Sequence, residues 1–429
     1  MDFIKNALTL TNSMDAATAM LAIVMVAYAL GDFASYKTKA YFSMIFVTGF
    51  ILLFGFWFGI PKNVFDVTVL GSYAMISLPL ILIHMGSMMK LNDIKQEWRT
   101  VVVAASGLVA LTIGLYVVAS PILGSKVMAL TAAGPISGGI VATIIVQEAA
   151  AKVGLEKLAV FATLLLVLQN FVGLPIASIC LRKEARSLLH KRDNGLLLNE
   201  GSAVKSDPEV ATWPIFPKMR KEVQTPFILL AKAIVGGVLA LYLAQWYNGF
   251  VFSIADSTGM AWVKYFQIHK LVMSLVVGIM LYEVGFLEYR ILDKANASGY
   301  AFFFCLILVF VSLPKAEPKL VMELLWPIVV AFTVAVFAII LTTWGLSKLV
   351  GYSWAMCTAI AVTCLFGFPG TYIITDEVTT AVCPSAEDKQ FCMDHILPKM
   401  LIGGFVTVTI GSVVLAGTIA QMILNSGPQ

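Results

Sequence analysis

The chain has 429 residues, of which 59% are hydrophobic and only 13% charged. That is about half the charged share usual in soluble domains, and the mean hydropathy is +0.89. A water-soluble fold of this size cannot hide so much apolar surface, which excludes an ordinary cytosolic enzyme, a disulfide-built secreted scaffold and a disordered chain. A net charge of +4 gives no reason to expect nucleic acid. What remains is an all-α polytopic membrane protein in the lipid bilayer.

A helical span needs about 20 apolar residues. Apolar runs lie near 15–33, 42–60, 68–89 and 100–120. The first has no basic region and small-residue cleavage site around it, so it reads as a span rather than a removed signal. Residues 126–152 are apolar at their flanks but broken by Gly134-Pro135-Ile136-Ser137-Gly138-Gly139. Pro and adjacent glycines oppose a continuous helix, and the segment reads as a re-entrant helical hairpin. A span near 156–181 completes a first repeat over 1–181, and a polar cytoplasmic linker follows over 182–224. The second repeat, 225–429, has runs near 225–246, 267–287, 298–314, 320–347 and 397–424. Its second hairpin, 354–382, is broken at Gly367-Phe368-Pro369-Gly370-Thr371. Each half has five crossings, an odd number, so the second runs in the opposite direction. Inverted repeats with interrupted segments in matching places point to a secondary transporter.

The basic residues set the orientation. With both termini outside, Lys37, Lys39, Lys90, Lys95, Arg99 and the nine basic residues from Arg182 to Lys221 fall inside. Of the 29 Lys and Arg, 19 fall inside and 8 outside, with Lys232 and Lys270 within or beside spans. Cys383 and Cys392, which bracket a polar loop, then face a reducing compartment, and no permanent disulfide is expected. Cys180, Cys305, Cys357 and Cys364 lie in apolar stretches and read as small core residues.

Leu130-Thr131-Ala132-Ala133-Gly134-Pro135-Ile136-Ser137-Gly138-Gly139 and Cys364-Leu365-Phe366-Gly367-Phe368-Pro369-Gly370-Thr371 resemble the two hairpin tips of the bacterial sodium/glutamate symporter family. The stretch Leu78-Pro79-Leu80 through Met85-Gly86, with Leu91-Asn92 after it, resembles that family's third span and its exit. A more distant resemblance is to the sodium-coupled 2-hydroxycarboxylate (citrate) transporters. The chain departs from the glutamate carriers at Ile140-Val141-Ala142-Thr143, where they carry a His-Gly-Thr-Gly type run, and at Pro369. Glutamate as substrate therefore does not follow. The resemblance implies a homodimeric, elevator-type symporter of the bacterial cytoplasmic (inner) membrane. Its solute would be a small anionic or zwitterionic molecule, such as an amino acid or a di- or tricarboxylate. Na⁺ would be the coupling ion, with H⁺ the alternative.

Broken backbone at membrane depth frees N–H and C=O groups for a ligand. Helix N-termini favour a carboxylate. The substrate candidates are Ser137, Gly138, Gly139, Thr143, Gln169, Asn170, Gly367 and Gly370. The competing reading is that the small residues only permit tight helix packing. Gln169 and Asn170, adjacent amides in mid-span, either line the cavity or bond helix to helix. Thr371, Thr375 and Asp376 are candidates for Na⁺, a hard cation suited to oxygen ligands; the alternative is that the threonines bond back to their own helix. Gln147, Glu148 and Glu377 read either as functional intramembrane groups or as helix ends snorkelling to water; His84 as a proton or substrate group or as a helix-packing residue; and Glu283 could simply face the interface. Lys232 reads as a side chain snorkelling to water. No GxxxxGK[ST], HExxH or GxSxG run is present, so neither ATP-driven transport nor an enzyme is expected. The alternative function is an uncoupled, channel-like or regulatory membrane protein on the same fold.

Overall fold

The computed structural model describes residues 13–62, 65, 70–88, 97–138, 140–194, 213, 215–217, 219–258, 268, 270–311 and 313–426. Among them there are helices and connections but no strand. Six helices are long and apolar enough to cross a membrane.

In chain order the elements are α1 (Ser13–Lys37), α2 (Met44–Phe58), α3 (Leu70–Gly86), α4 (Trp98–Leu123), α5 (Lys126–Ile136), α6 (Ile140–Lys152) and α7 (Glu156–Asp193). The second half supplies α8 (Pro226–Thr258), α9 (Lys270–Glu283), the one-turn α10 (Ile291–Lys294), α11 (Ser298–Phe310) and α12 (Leu325–Val350). Then come α13 (Trp354–Val362), α14 (Gly367–Val382), α15 (Ala386–Phe405) and α16 (Ser412–Ser426). Each expected span thus has a helical counterpart, although only six helices among the described residues reach spanning length, and each expected hairpin is a pair of helices broken at its glycines.

Lengths differ from expectation. α2 has 15 residues and α9 has 14, only about 21–23 Å at 1.5 Å per residue. α2 stops where Gly59 takes φ +134 just before Pro61. Conversely, α7 continues to Asp193, beyond the expected linker boundary. The expected polar loop at 383–392 is mostly helix. Ser385 accepts from Asp388 N (3.1 Å), with Glu387 and Asp388 in the first turn, a favourable cap and dipole arrangement that starts α15 early.

Two helices widen into π-helical stretches. In α4 this is Leu115–Ala119, just ahead of Pro121, which has no N–H to give back. The second, Val406–Gly411, joins α15 to α16.

The chain divides into two compact units, one of residues 1–69, 97–196 and 310–429, the other of residues 70–96 and 197–309. In the first unit α4 packs on α12. Both arms of each hairpin, α5–α6 and α13–α14, pack on α7 and on the α15–α16 helix. Segments expected on the inner side meet one another here. Tyr41 stacks under Arg182 (3.9 Å), Ser178 donates to Ala40 O, and Arg192 pairs with Asp388 (2.7 Å). Glu97 accepts from Tyr352 (2.8 Å) and pairs with Lys399 (3.1 Å). Expected outer segments form a separate group: Trp57 Nε1 donates to Ala316 O (2.7 Å), and Lys62 pairs with Glu317. All six cysteines are free thiols.

In the second unit α3 packs on α8 and α9. α3 and α9 cross at glycines: a Cβ on Gly86 would lie 2.7 Å from Gly278 Cα. Small residues allow such backbone approach in membrane helices. His84 is fully buried, and its Nδ1 accepts from Leu292 N (3.2 Å). It holds the α10 turn onto α3, and its Nε2 lies 3.8 Å from Asp293 Oδ1. Lys232 does not snorkel to water. It pairs with Glu288 (2.7 Å), and both are largely buried. Glu283 ends α9, where its carbonyl accepts from Trp213 N (3.0 Å).

Candidate functional site: the crossing of two hairpin tips

The first tip is made by α5. Ser137 N bonds Ala133 O (3.0 Å), Gly138 N bonds Pro135 O (3.1 Å), and Ser137 Oγ turns back to Gly134 O (2.6 Å). Gly138 then takes φ +85, a left-handed conformation that a side chain disfavours. Gly139 lies outside the described residues.

The second tip follows a different local route. α13 tightens into a 3₁₀ turn at Thr363–Leu365, and Phe366 N bonds Thr363 O (3.2 Å). Gly367 takes φ +51 and starts α14. Pro369 sits in the first turn of α14, where a helix has no acceptor for an N–H, so proline is tolerated.

The two tips meet. A Cβ on Gly138 would overlap the Cys364 carbonyl oxygen and lie 2.8 Å from Val408 Cγ2. A Cβ on Gly367 would also lie 2.8 Å from Val408 Cγ2. Val408 belongs to the π-helical stretch between α15 and α16. One side chain on the final helix therefore touches both hairpin turns.

Polar side chains surround this crossing. Gly404 packs on Thr371 Cγ2 (2.9 Å from a built Cβ), and Gly403 faces Thr363 Oγ1 (3.4 Å). Thr363, Thr371 and Thr407 are all buried, and Thr407 Oγ1 donates to Gly403 O (3.0 Å). From α7, Gly173 packs on Leu365 and Phe366 of the second tip. Gln169 lies one turn earlier on the same face. It is 5% exposed, and its Oε1 has no hydrogen-bond partner among the described residues. An unpartnered buried acceptor is costly and marks a place where a donor on a ligand or a water fits.

The structure thus gathers Ser137, Gly138, Gly367, Gly370 and Thr371 around one crossing, with Gln169 one turn along α7 from the Gly173 contact. Thr143 is buried on α6, and Asn170 is half-buried on α7. Thr375 is fully buried one turn beyond Thr371, and its hydroxyl donates to Thr371 O (2.7 Å). Thr379 repeats the pattern on Thr375 O (2.8 Å). This is the back-bonded arrangement, although each hydroxyl oxygen keeps lone pairs. Asp376 lies on another face of α14 and pairs with Lys389 (2.7 Å), both about one-third exposed. Gln147 donates to Thr163, and Glu148 is exposed on α6. No cluster of three or more His, Cys, Asp or Glu suited to a metal occurs among the described residues. Thr407 and Val408 fall in the 407–409 stretch, the last-span counterpart of Gln169 and Asn170 and the less polar of the two. The other sequence signal there is the Gly403-Gly404 pair one turn earlier.

Chemically, the crossing offers two complementary surfaces. α6 and α14 both begin at the tips, and helix N-termini carry partial positive charge. The ends of α5 and of the 3₁₀ turn supply carbonyl oxygens, joined by threonine hydroxyls. The first suits a carboxylate and the second a hard monovalent cation. Compared with known proteins, the chain matches no family model and no curated protein.

Proposed function

We propose that the chain is a secondary active transporter built from two inverted five-span repeats, in the manner of the sodium/glutamate symporters that its hairpin tips resemble. It moves a small organic anion or amino acid across a bacterial inner membrane by alternating access, with Na⁺ as the coupling ion. The observation that carries this reading is the meeting of two broken hairpins, one from each half, at Val408. A single site formed by matching broken segments is what two-sided access requires. The element order repeats between the halves, and both hairpins rest on the last helix of both. The division into two separately packed units suits an elevator motion of one body against another, and the resemblance adds a homodimer. The orientation with both termini outside rests on the distribution of the basic residues.

Counterflow in proteoliposomes tests the proposal. A library of labelled amino acids and small carboxylates is offered to vesicles preloaded with the unlabelled compounds, with and without Na⁺. A transporter accumulates label transiently and saturably without a net driving force. Non-saturating flux of any compound means an uncoupled pore, and no flux across the library removes the transport reading for these solutes.

A further inference from the structure

The elbow between α1 and α2, residues 38–43, is gripped from two sides. On one side α7 holds it through Ser178 on Ala40 O and Arg182 on Tyr41. On the other side stands Glu377, from the exit arm of the second hairpin. Met44 N donates to Glu377 Oε1 (3.0 Å) and Oε2 (3.1 Å), and Ser35 Oγ donates to Oε2 (3.4 Å). Met44 is the first residue of α2, so its N–H is one of the donors a helix start cannot satisfy internally. Glu377 completes it across 333 residues of chain. The elbow is strained at this point: Lys39 and Ala40, neither a glycine, take φ +51 and +58.

Glu377 forms no ion pair among the described residues. The charges acting on it are Asp32 on α1 and Asp376 on its own helix, both negative. Asp376 is already neutralised by Lys389 on α15 (2.7 Å). Asp32, near the end of α1, is exposed, and half-buried Glu377 is beside it. Two donors and the positive end of α2 hold the carboxylate, and the like charge of Asp32 stands beside it.

We propose that Glu377 is a proton-binding site, and that its ionisation decides whether the exit arm of the second hairpin is tied to the α1–α2 elbow. The ionised carboxylate accepts from Met44 and Ser35 together. Taking up a proton from water removes the charge that makes those bonds strong and loosens the arm. The proposal does not rest on the transport reading, because both tests below are made without any solute.

Hydrogen exchange of the full-length protein in nanodiscs reads the Met44 amide. After correction for the intrinsic pH dependence of exchange, its protection should fall by roughly tenfold as pH is lowered through the titration, the factor expected when a charge-assisted hydrogen bond is lost. In Glu377→Gln it should be low and independent of pH. In Ser35→Ala, which keeps the Met44 contact, the pH dependence should persist. Infrared difference spectra over the same titration should show a protonated-carboxyl band that Glu377→Gln removes. Met44 protection that stays constant across pH in the wild type overturns the proposal and leaves Glu377 a fixed helix cap. So does a carboxyl band unchanged by Glu377→Gln. If Glu377→Gln does not fold, the wild-type and Ser35→Ala exchange profiles still decide.

Discussion

Alanine at Gly138 tests whether the hairpin tips cross as described, and two other glycines calibrate it. Gly124 has φ +65 with nothing within 4 Å of a built Cβ, so Gly124→Ala carries only the left-handed backbone penalty, about 1 kcal/mol. Gly138 has φ +85, and its Cβ meets a backbone carbonyl as well as Val408. Overpacking adds about 1–3 kcal/mol, so Gly138→Ala should cost about 2–4 kcal/mol in total. Gly367 has φ +51, but only the Val408 side chain lies close. Removing that side chain should relieve Gly367→Ala and not Gly138→Ala, because the Cys364 carbonyl stays. A double-mutant cycle with Val408→Ala, read by equilibrium unfolding in mixed micelles, should give a rescuing coupling of about 1–2 kcal/mol at Gly367 and less than about 0.5 kcal/mol at Gly138. Equal coupling at both glycines, or a Gly138→Ala cost no larger than that of Gly124→Ala, refutes the crossing.

Three further outcomes are expected. Thr375→Val should raise the Na⁺ concentration for half-maximal counterflow about fivefold, some 1 kcal/mol; a melting-temperature change with unaltered Na⁺ dependence assigns Thr375 to the α14 backbone alone. Cysteine placed at Ser426 should react with an impermeant thiol reagent in intact cells while cysteine at Lys191 does not, and the reverse pattern inverts the topology. Glu97→Ala should destabilise by about 3 kcal/mol, because Lys399 is left charged and largely buried, whereas Tyr352→Phe, which removes one hydrogen bond to Glu97, should cost about 1 kcal/mol; similar losses would mean that Lys399 finds another partner.

The hairpins were legible because their cause is local. Pro135, Gly138, Gly367 and Pro369 restrict the backbone wherever they stand, and apolar run length gave the order of the helices. Helix ends were less legible. The Ser385 cap was readable in principle, yet the polar composition of 386–392 outweighed it. Three features depend on distant partners and had no local signal: Val408 under both tips, Glu377 on Met44, and Glu288 beside Lys232. The π-helical stretch that carries Val408 shifts the side-chain phase, but over six residues in an apolar run that shift leaves no readable pattern. Gly139, the candidate between the two arms of the first hairpin, lies outside the described residues.

The packing of the first hairpin on α16 also has a consequence for synthesis. From Ile136, the end of α5, to Ser412, the start of α16, is 276 residues. At about 5–20 residues per second, roughly 15–55 s pass between the ribosome finishing one and beginning the other. For most of that interval, until Cys364 (228 residues after Ile136) and then Val408 (272 residues after it) are made, the hairpin turn has neither against it, and interrupted backbone cannot face hydrocarbon unsheltered. The membrane-insertion machinery, or the wet vestibule beside it, must keep the turn until the last helix arrives. Truncations before Ser412 should therefore leave the chain a substrate for membrane quality-control proteases rather than a smaller working protein.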